Sequence, residues 1–248
     1  MVCNQNTPFS IIIPTYQEAK NIPELTHLIS KVDFGPRKFE VILVDDNSQD
    51  GTKEVVEALV KQFPWLRLIV RLGQKGLSEA VLEGFAKAKY PLYVIMDADL
   101  SHPPAKIPEM LAYLSMPTVD LVIGSRYVKG GGSDESWPIN RKIFSRLATL
   151  FAKILIASPV KDPLSGFLAL KKSTYLSANK LEPIGWKIGL EIMVKCHCKN
   201  IQEVPIYFTD RNQGVSKLNF KVALNYIKHI TRLLRYKLSM KRINHSKD

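Results

Sequence analysis

Apolar positions over the first half of the chain come in short blocks divided by polar, turn-prone segments. Residues 9–14, 39–44, 66–71, 92–96 and 120–123 are compact runs rich in Ile, Val, Leu and aromatics, bounded by charge, Pro or Gly, and they read as buried strands. Between them, residues 19–32, 51–62, 77–88 and 104–114 carry apolar side chains at three- and four-residue spacing and read as helices. Strands alternating with helices of that length predict βαβ units, a mostly parallel sheet and right-handed crossovers. No internal repeat or low-complexity tract interrupts the pattern.

The character changes near residue 137, after a glycine-rich stretch at Lys129-Gly130-Gly131-Gly132 of the kind that carries function or acts as a lid. Residues 143–156 are too apolar for an ordinary surface helix, yet Arg146 and Lys153 exclude a bilayer span. Such a helix belongs either in the core or flat on a membrane surface. In residues 219–238, Lys221, Lys228, Arg232 and Arg235 project onto one sector of about 60°. Phe220, Leu224, Ile227, Leu234 and Leu238 form the adjoining flank, with Ile230 and Leu233 beyond. This is a basic amphipathic helix suited to an interface, and a helix docked on its own domain with a solvated basic face has the same pattern. The division expected is a catalytic domain over 1–215, including an interface-helix region at 137–160, and a basic C-terminal helix and tail over 216–248.

Charge sharpens that division. The net charge is +12, and residues 211–248 hold ten Lys and Arg against one acid, so the catalytic-looking part is nearly neutral. A cationic tail meets nucleic acid, anionic lipid or phosphorylated substrates. The N-terminus has neither the charge nor the apolar run of a signal peptide, and no window is long and apolar enough to span a bilayer, so a cytoplasmic location is expected. Cys196-His197-Cys198 is spaced too tightly for the usual zinc ligands.

The chemistry gathers at strand ends. The fourth predicted strand stops at Asp97-Ala98-Asp99, beyond the carboxyl edge where open α/β sheets bind ligands. Two carboxylates one residue apart repel unless a cation sits between them, and a hard divalent ion shared with a diphosphate is the natural occupant. An Asp that caps the next helix beside a solvated neighbour would look the same. The first strand ends in Pro14-Thr15-Tyr16-Gln17-Glu18 and the second in Asp45-Asp46-Asn47-Ser48, so all three sets share one edge. Neither a G-x-G-x-x-G after the first strand nor a Walker A sequence is present, which excludes the usual dehydrogenase and P-loop readings. A non-enzymatic basic module would leave these carboxylates without a purpose, so nucleic acid is not expected as a partner.

Seven blocks in order carry a specific resemblance: those beginning at Ile12, Val44, Asp97, Gly124, Asp162, Glu203 and Asp210, spanning roughly residues 9–218. The sequence resembles the dolichol-phosphate (polyprenol-phosphate) mannosyltransferases, inverting family-2 glycosyltransferases of GT-A fold. The resemblance implies that Pro14, Tyr16, Glu18, Leu43 and Asp45 hold the guanine and ribose of GDP-mannose. It implies that Asp97 and Ala98 line the ribose and diphosphate, and that Asp99, with Asp97, ligates Mg²⁺ or Mn²⁺. Arg126, Arg211 and Lys217 are expected to face phosphates, with Arg141 near the donor or acceptor phosphate; Asp99, Arg126, Arg211 and Lys217 form the implied catalytic set. Ser101 stands where several relatives have Gln, a candidate third metal ligand, and Leu168 stands where an Arg is common. Relatives often end in transmembrane helices, and this chain has only the amphipathic tail. The implied function is mannosyl transfer to dolichyl or polyprenyl phosphate at the cytoplasmic membrane face, through peripheral contact or a membrane-anchoring subunit. The alternative is a family-2 polyprenol-phosphate glucosyltransferase using UDP-glucose, or an enzyme acting on another glycolipid.

Overall fold

The computed structural model describes residues 6–73, 75–133, 139–156, 160–178, 180–185, 187–209 and 220–245, with side chains of the two long helices described over 147–155 and 224–240. The five strands expected in the first half form where their apolar runs lie: β1 Phe9–Thr15, β2 Phe39–Asp45, β3 Leu66–Val70, β4 Leu92–Ile95 and β5 Leu121–Ser125. The helices between them are α1 Ile22–Ser30, α2 Thr52–Val60, α3 Leu77–Lys87 and α4 Ile107–Leu114, the last entered through a 3₁₀ turn at Pro104–Lys106. Pro23 at the start of α1 and Pro108 at the start of α4 sit where a missing N–H costs nothing, so each helix begins later than its apolar pattern suggests.

The second half adds β6 Gly132–Ser133, α5 Ile139–Ile156, β7 Leu168–Lys171, α6 Lys172–Leu176, α7 Ile188–Lys195, β8 Ile201–Pro205, β9 Tyr207–Phe208 and α8 Phe220–His245. The main sheet runs β3-β2-β1-β4-β7-β5-β8, and β6 pairs with β9 alone. All its neighbouring pairs are parallel except those of β7, which is antiparallel to both β4 and β5. Alternate residues of each strand serve opposite faces. Phe9, Ile11 and Ile13 join α1, α2 and α4 in one core, while Ile12 joins Val81 and Phe85 of α3 and Ile188 and Ile192 of α7 in the other.

Helix α7 is buried on every side. Its outer flank, Leu190 and Val194, packs with Ala152 and Leu155 of α5 and Leu233 of α8 in a third cluster. Helix α8 therefore docks on the α/β fold through Leu233, with Tyr226, Ile230 and Tyr236 around it. Tyr226 Oη donates to the Ala148 carbonyl at 2.6 Å and Lys237 Nζ to that of Leu155 at 2.7 Å. Among the described residues no helix is long and apolar enough to cross a membrane.

Candidate active site

In-register pairing sets Thr15 beside Asp45, and β4 runs alongside β1, so three strands deliver their polar ends to one edge. Asp45 is fully buried and accepts from the Ser48 backbone N–H at 2.9 Å and the Ser48 hydroxyl at 2.5 Å. Ser48 in turn accepts from the Gln17 N–H at 2.8 Å, which ties the first strand's loop to the second's. Asp50 strengthens that tie through the Ala19 N–H at 3.1 Å and the Thr52 hydroxyl at 2.6 Å. Burial works against the Asp50 charge, but the bonds from Thr52 and Ala19 outweigh it and hold the carboxyl below its ordinary pKa. Asp46 accepts from the Gly76 N–H at 2.6 Å and pairs with Arg71, anchoring the segment after β3 over the same crevice. Tyr16 is exposed, with Lys75 Nζ 4.3 Å from its ring centroid.

The Asp97-Ala98-Asp99 turn is held from both sides. The Asp97 N–H donates to His102 Nδ1 at 3.0 Å, which places the ring proton on Nε2, 3.9 Å from Asp97 Oδ2. His102 is buried, stacked on Phe167 with centroids 5.1 Å apart. Leu100 takes a left-handed φ of 66°, bending the chain so that Ser101 donates to Asp99 Oδ1 through its N–H at 3.2 Å and its hydroxyl at 2.5 Å. Asp99 is buried, while Asp97 keeps 25% of its side chain exposed. The turn thus offers hard oxygen donors alone, the set that suits Mg²⁺ or Mn²⁺ held by one or two carboxylates plus substrate phosphates. Among the described residues no group of three or more His, Cys, Asp or Glu gathers as a closed metal cage, so the remaining ligands would come from the diphosphate and water.

Arg126 lies beyond β5, and its guanidinium grips Asp162 with Nε–Oδ2 and Nη2–Oδ1 both at 2.8 Å. Burial disfavours the Arg126 charge, but the Asp162 pairing more than compensates and raises its pKa. Asp162 is fully buried, and its N–H donates to Glu203 at 3.0 Å, so the loop before β7, the end of β5 and β8 are joined.

Of the residues singled out in the sequence, Pro14, Tyr16, Glu18, Asp45, Asp97, Ala98, Asp99, Ser101 and Arg126 all stand along this edge. The side chain of Leu43 turns into the core beneath the sheet, because its place in the two-residue alternation of β2 faces α1 and α2. Arg211 and Lys217 lie outside the described residues, as does the side chain of Arg141 on α5. His102, Asp162 and Glu203 were not assigned roles from sequence, although each falls within one of the recognised blocks. Lys187 gave no sequence signal at all, yet the charges of Arg126, Asp162 and Asp97 act on it.

The model of glycosyl transferase family 2 matches residues 10–175. A dolichol-phosphate mannosyltransferase of Pyrococcus furiosus is 41% identical over 236 residues, covering 94% of this chain and 66% of the relative. The protein of that name from Saccharomyces cerevisiae is 40% identical over 92% of this chain and 88% of its own length. Among solved structures, a mannosyltransferase from Pyrobaculum calidifontis in complex with GDP-Man and Mn²⁺ superposes with a TM-score of 0.66 at 20% identity, over 94% of this chain and 65% of that one. Glucosyl-3-phosphoglycerate synthase from Mycobacterium tuberculosis, with Mn²⁺ and UDP, gives 0.68 at 18% identity over 92% and 79%. The fold is thus that of nucleotide-sugar transferases, and the chain belongs to the dolichol-phosphate mannosyltransferases of glycosyl transferase family 2.

Proposed function

We propose that this glycosyltransferase moves mannose from GDP-mannose to dolichyl or polyprenyl phosphate, with inversion at the anomeric carbon and a divalent cation at Asp97 and Asp99. The observation that carries the reading is the 37–41% identity to enzymes of that name over more than nine-tenths of this chain. A bound Mg²⁺ or Mn²⁺ would supply Lewis acidity at the leaving diphosphate. The acceptor phosphate is already an anion at neutral pH, so the site needs no strong general base. Its task is to hold two anionic substrates in line and to stabilise the departing charge. Asp45 and the Tyr16 ring suit the nucleoside end, and His102 and Ser101 fix the two carboxylates.

The lipid acceptor requires a membrane surface, and two helices support peripheral contact. Leu147, Leu150, Phe151 and Ile154 form an exposed stripe on α5, and Leu224, Ile227, Leu234 and Leu238 another on α8, with exposed Lys228 and Arg235 beside it. Large apolar side chains on packed helices, edged by cations, suit the headgroup region of a cytoplasmic leaflet. Arg232 departs from the basic stripe expected from sequence: its Nη2 lies 3.3 Å from the buried Glu191.

A donor panel of GDP-mannose, UDP-glucose and GDP-glucose with a short polyprenyl phosphate, reading label in the organic phase, tests the reading. Mannosyl lipid formed from GDP-mannose, dependent on added Mg²⁺ or Mn²⁺ and lost with chelator, is expected. Product from UDP-glucose alone would replace it with the glucosyl alternative.

A further inference from the structure

The β6–β9 ribbon closes over the end of β5. The Ile206 N–H donates to the Ser125 carbonyl at 3.0 Å and the Gly132 N–H to the Ile206 carbonyl at 3.0 Å, with Gly132 opposite Tyr207 and Ser133 opposite Phe208. The glycine run singled out in the sequence permits this approach. A Cβ at Gly131 would fall 2.5 Å from the Ser125 carbonyl oxygen, and one at Gly132 would fall 3.2 Å from the Tyr207 ring. Successive strand residues face opposite ways. Tyr207 stays exposed over Gly132, and Phe208 turns inward to Arg126 and His102.

The Phe208 ring meets both halves of the site. The Arg126 guanidinium carbon lies 5.4 Å from its centroid and 5.1 Å from that of Tyr127. The His102 ring stands edge to face against Phe208, with centroids 5.6 Å apart at 70°. His102 is stacked on Phe167 and accepts the Asp97 N–H at 3.0 Å. One ring thus joins the arginine to the turn that carries Asp97 and Asp99.

The Asp162 fork does not by itself fix the arginine. Its two bonds, from Nε and Nη2, hold the guanidinium along one edge, but the plane can tilt about that edge and the Nη1 end swings with it. A ring against the guanidinium blocks the tilt. An aliphatic side chain would seal β9 equally well, but it offers no π-face to a guanidinium and no edge-to-face contact to an imidazole. We propose that Phe208 is a positioning residue whose ring locks the Arg126 guanidinium to the carboxylate turn supported by His102, so that both address one diphosphate at a fixed separation. The inference rests on the mannosyl-transfer reading for the identity of that diphosphate. Misplacement of such a group by about 1 Å is enough to weaken its action severely.

The test uses the full chain with Phe208→Leu and Phe208→Tyr, each alone and Phe208→Leu also in an Arg126→Lys background. Calorimetry with GDP and with inorganic pyrophosphate, each with Mn²⁺, is combined with thermal unfolding and steady-state transfer from GDP-mannose to polyprenyl phosphate. Loss of both ring contacts predicts a rise of about 10-fold in the two Kd values for Phe208→Leu, with a matching fall in kcat/KM. Phe208→Tyr keeps the ring and is expected within about threefold of the parent, and Tm falls by no more than about 4 °C in either variant. Arg126→Lys keeps a charge beside Asp162 but has no planar fork to tilt, so Phe208→Leu added to it is expected to cost less than about threefold. Phe208→Leu within about twofold of the parent in both affinities overturns the inference. So does a loss that follows the folded fraction, or one of the same size in the Arg126→Lys background, because the ring then acts independently of the arginine. A parent chain that binds GDP with Mn²⁺ but transfers no mannose overturns the functional reading instead, and the affinities then still decide the role of Phe208.

Discussion

Asp99 and Asp162 are both buried carboxylates, but they are satisfied at different ranges along the chain. Asp99 accepts two bonds from Ser101, two residues away. Asp99→Asn is expected to cut transfer more than about 100-fold while unfolding moves by no more than a few degrees, because what is lost is a metal ligand rather than core packing. Asp162 is held by Arg126, 36 residues earlier, and stripping the fork leaves a buried guanidinium uncompensated. Asp162→Asn is therefore expected to cost about 3 kcal/mol in urea unfolding as well as activity. The difference also decides what sequence can reveal. The Asp97 to Ser101 turn is written in five consecutive residues, so its carboxylates stand out before any fold is known. The Arg126–Asp162 pair exists only once β7 has paired with β5, and neither residue alone differs from a surface charge.

Among the elements, α3 illustrates how packing overrules propensity. Gly84 faces Ile12 of β1, and a Cβ there would fall within van der Waals distance of the Ile12 side chain. Alanine gains up to about 1 kcal/mol as a helix former, but overpacking of a close-packed interface costs about 1–3 kcal/mol. Gly84→Ala is thus expected to lower stability, and a rise in Tm would show that the helix can shift. Helix α8 is held by a buried charge cluster: Glu191 of α7 receives His229 at 3.0 Å and Arg232 at 3.3 Å from α8, and Lys195 at 2.7 Å from its own helix. Burial opposes the Glu191 charge, but the bonds from His229 and Lys195 outweigh it and hold its pKa at about 2. A depressed carboxyl stabilises the fold above its unfolded pKa of about 4.3 and loses that contribution as pH falls towards the folded value. Glu191→Gln is accordingly expected to lower Tm at pH 7, with the gap to the parent constant above about pH 5 and closing between about pH 4 and 2. The strands of the first half were legible because their apolar runs are dense and cleanly bounded. Strands β7 and β8 were not, since Leu-Ala-Leu-Lys and a segment ending in Pro205 are too short to show a period.

At the scale of the molecule, the two exposed apolar stripes lie on helices that pack on the catalytic fold, so the docked reading of 219–238 holds and leaves an exposed apolar face for the membrane contact proposed above. One face of α8 docks through His229 and Leu233, and another faces outward with Leu224, Ile227, Leu234 and Leu238. Replacing Leu150, Phe151, Ile227 and Leu234 by Ser removes exposed apolar area without entering the core. The variant is expected to sediment less with anionic vesicles and to slow on long-chain acceptor, while its GDP affinity in detergent stays near that of the parent. Reversing Lys228 and Arg235 to Glu is expected to weaken vesicle binding by about 1 kcal/mol per charge removed, and more at low salt. Unchanged sedimentation in both variants would separate these stripes from the membrane.

The antiparallel β7 also has a consequence for synthesis on the ribosome. Strand β5 pairs only with β7 and β8, both made after it, and β4 waits for β7 on its outer side. A nascent chain that has emerged through residue 160 therefore carries an open β4 edge and a β5 with no neighbour, the condition under which strands pair with the wrong chain. The order of translation makes residues 168–171 the keystone of the sheet. Chains stalled before them are expected to bind chaperones and resist compaction, whereas chains stalled beyond residue 205 should become protease-resistant.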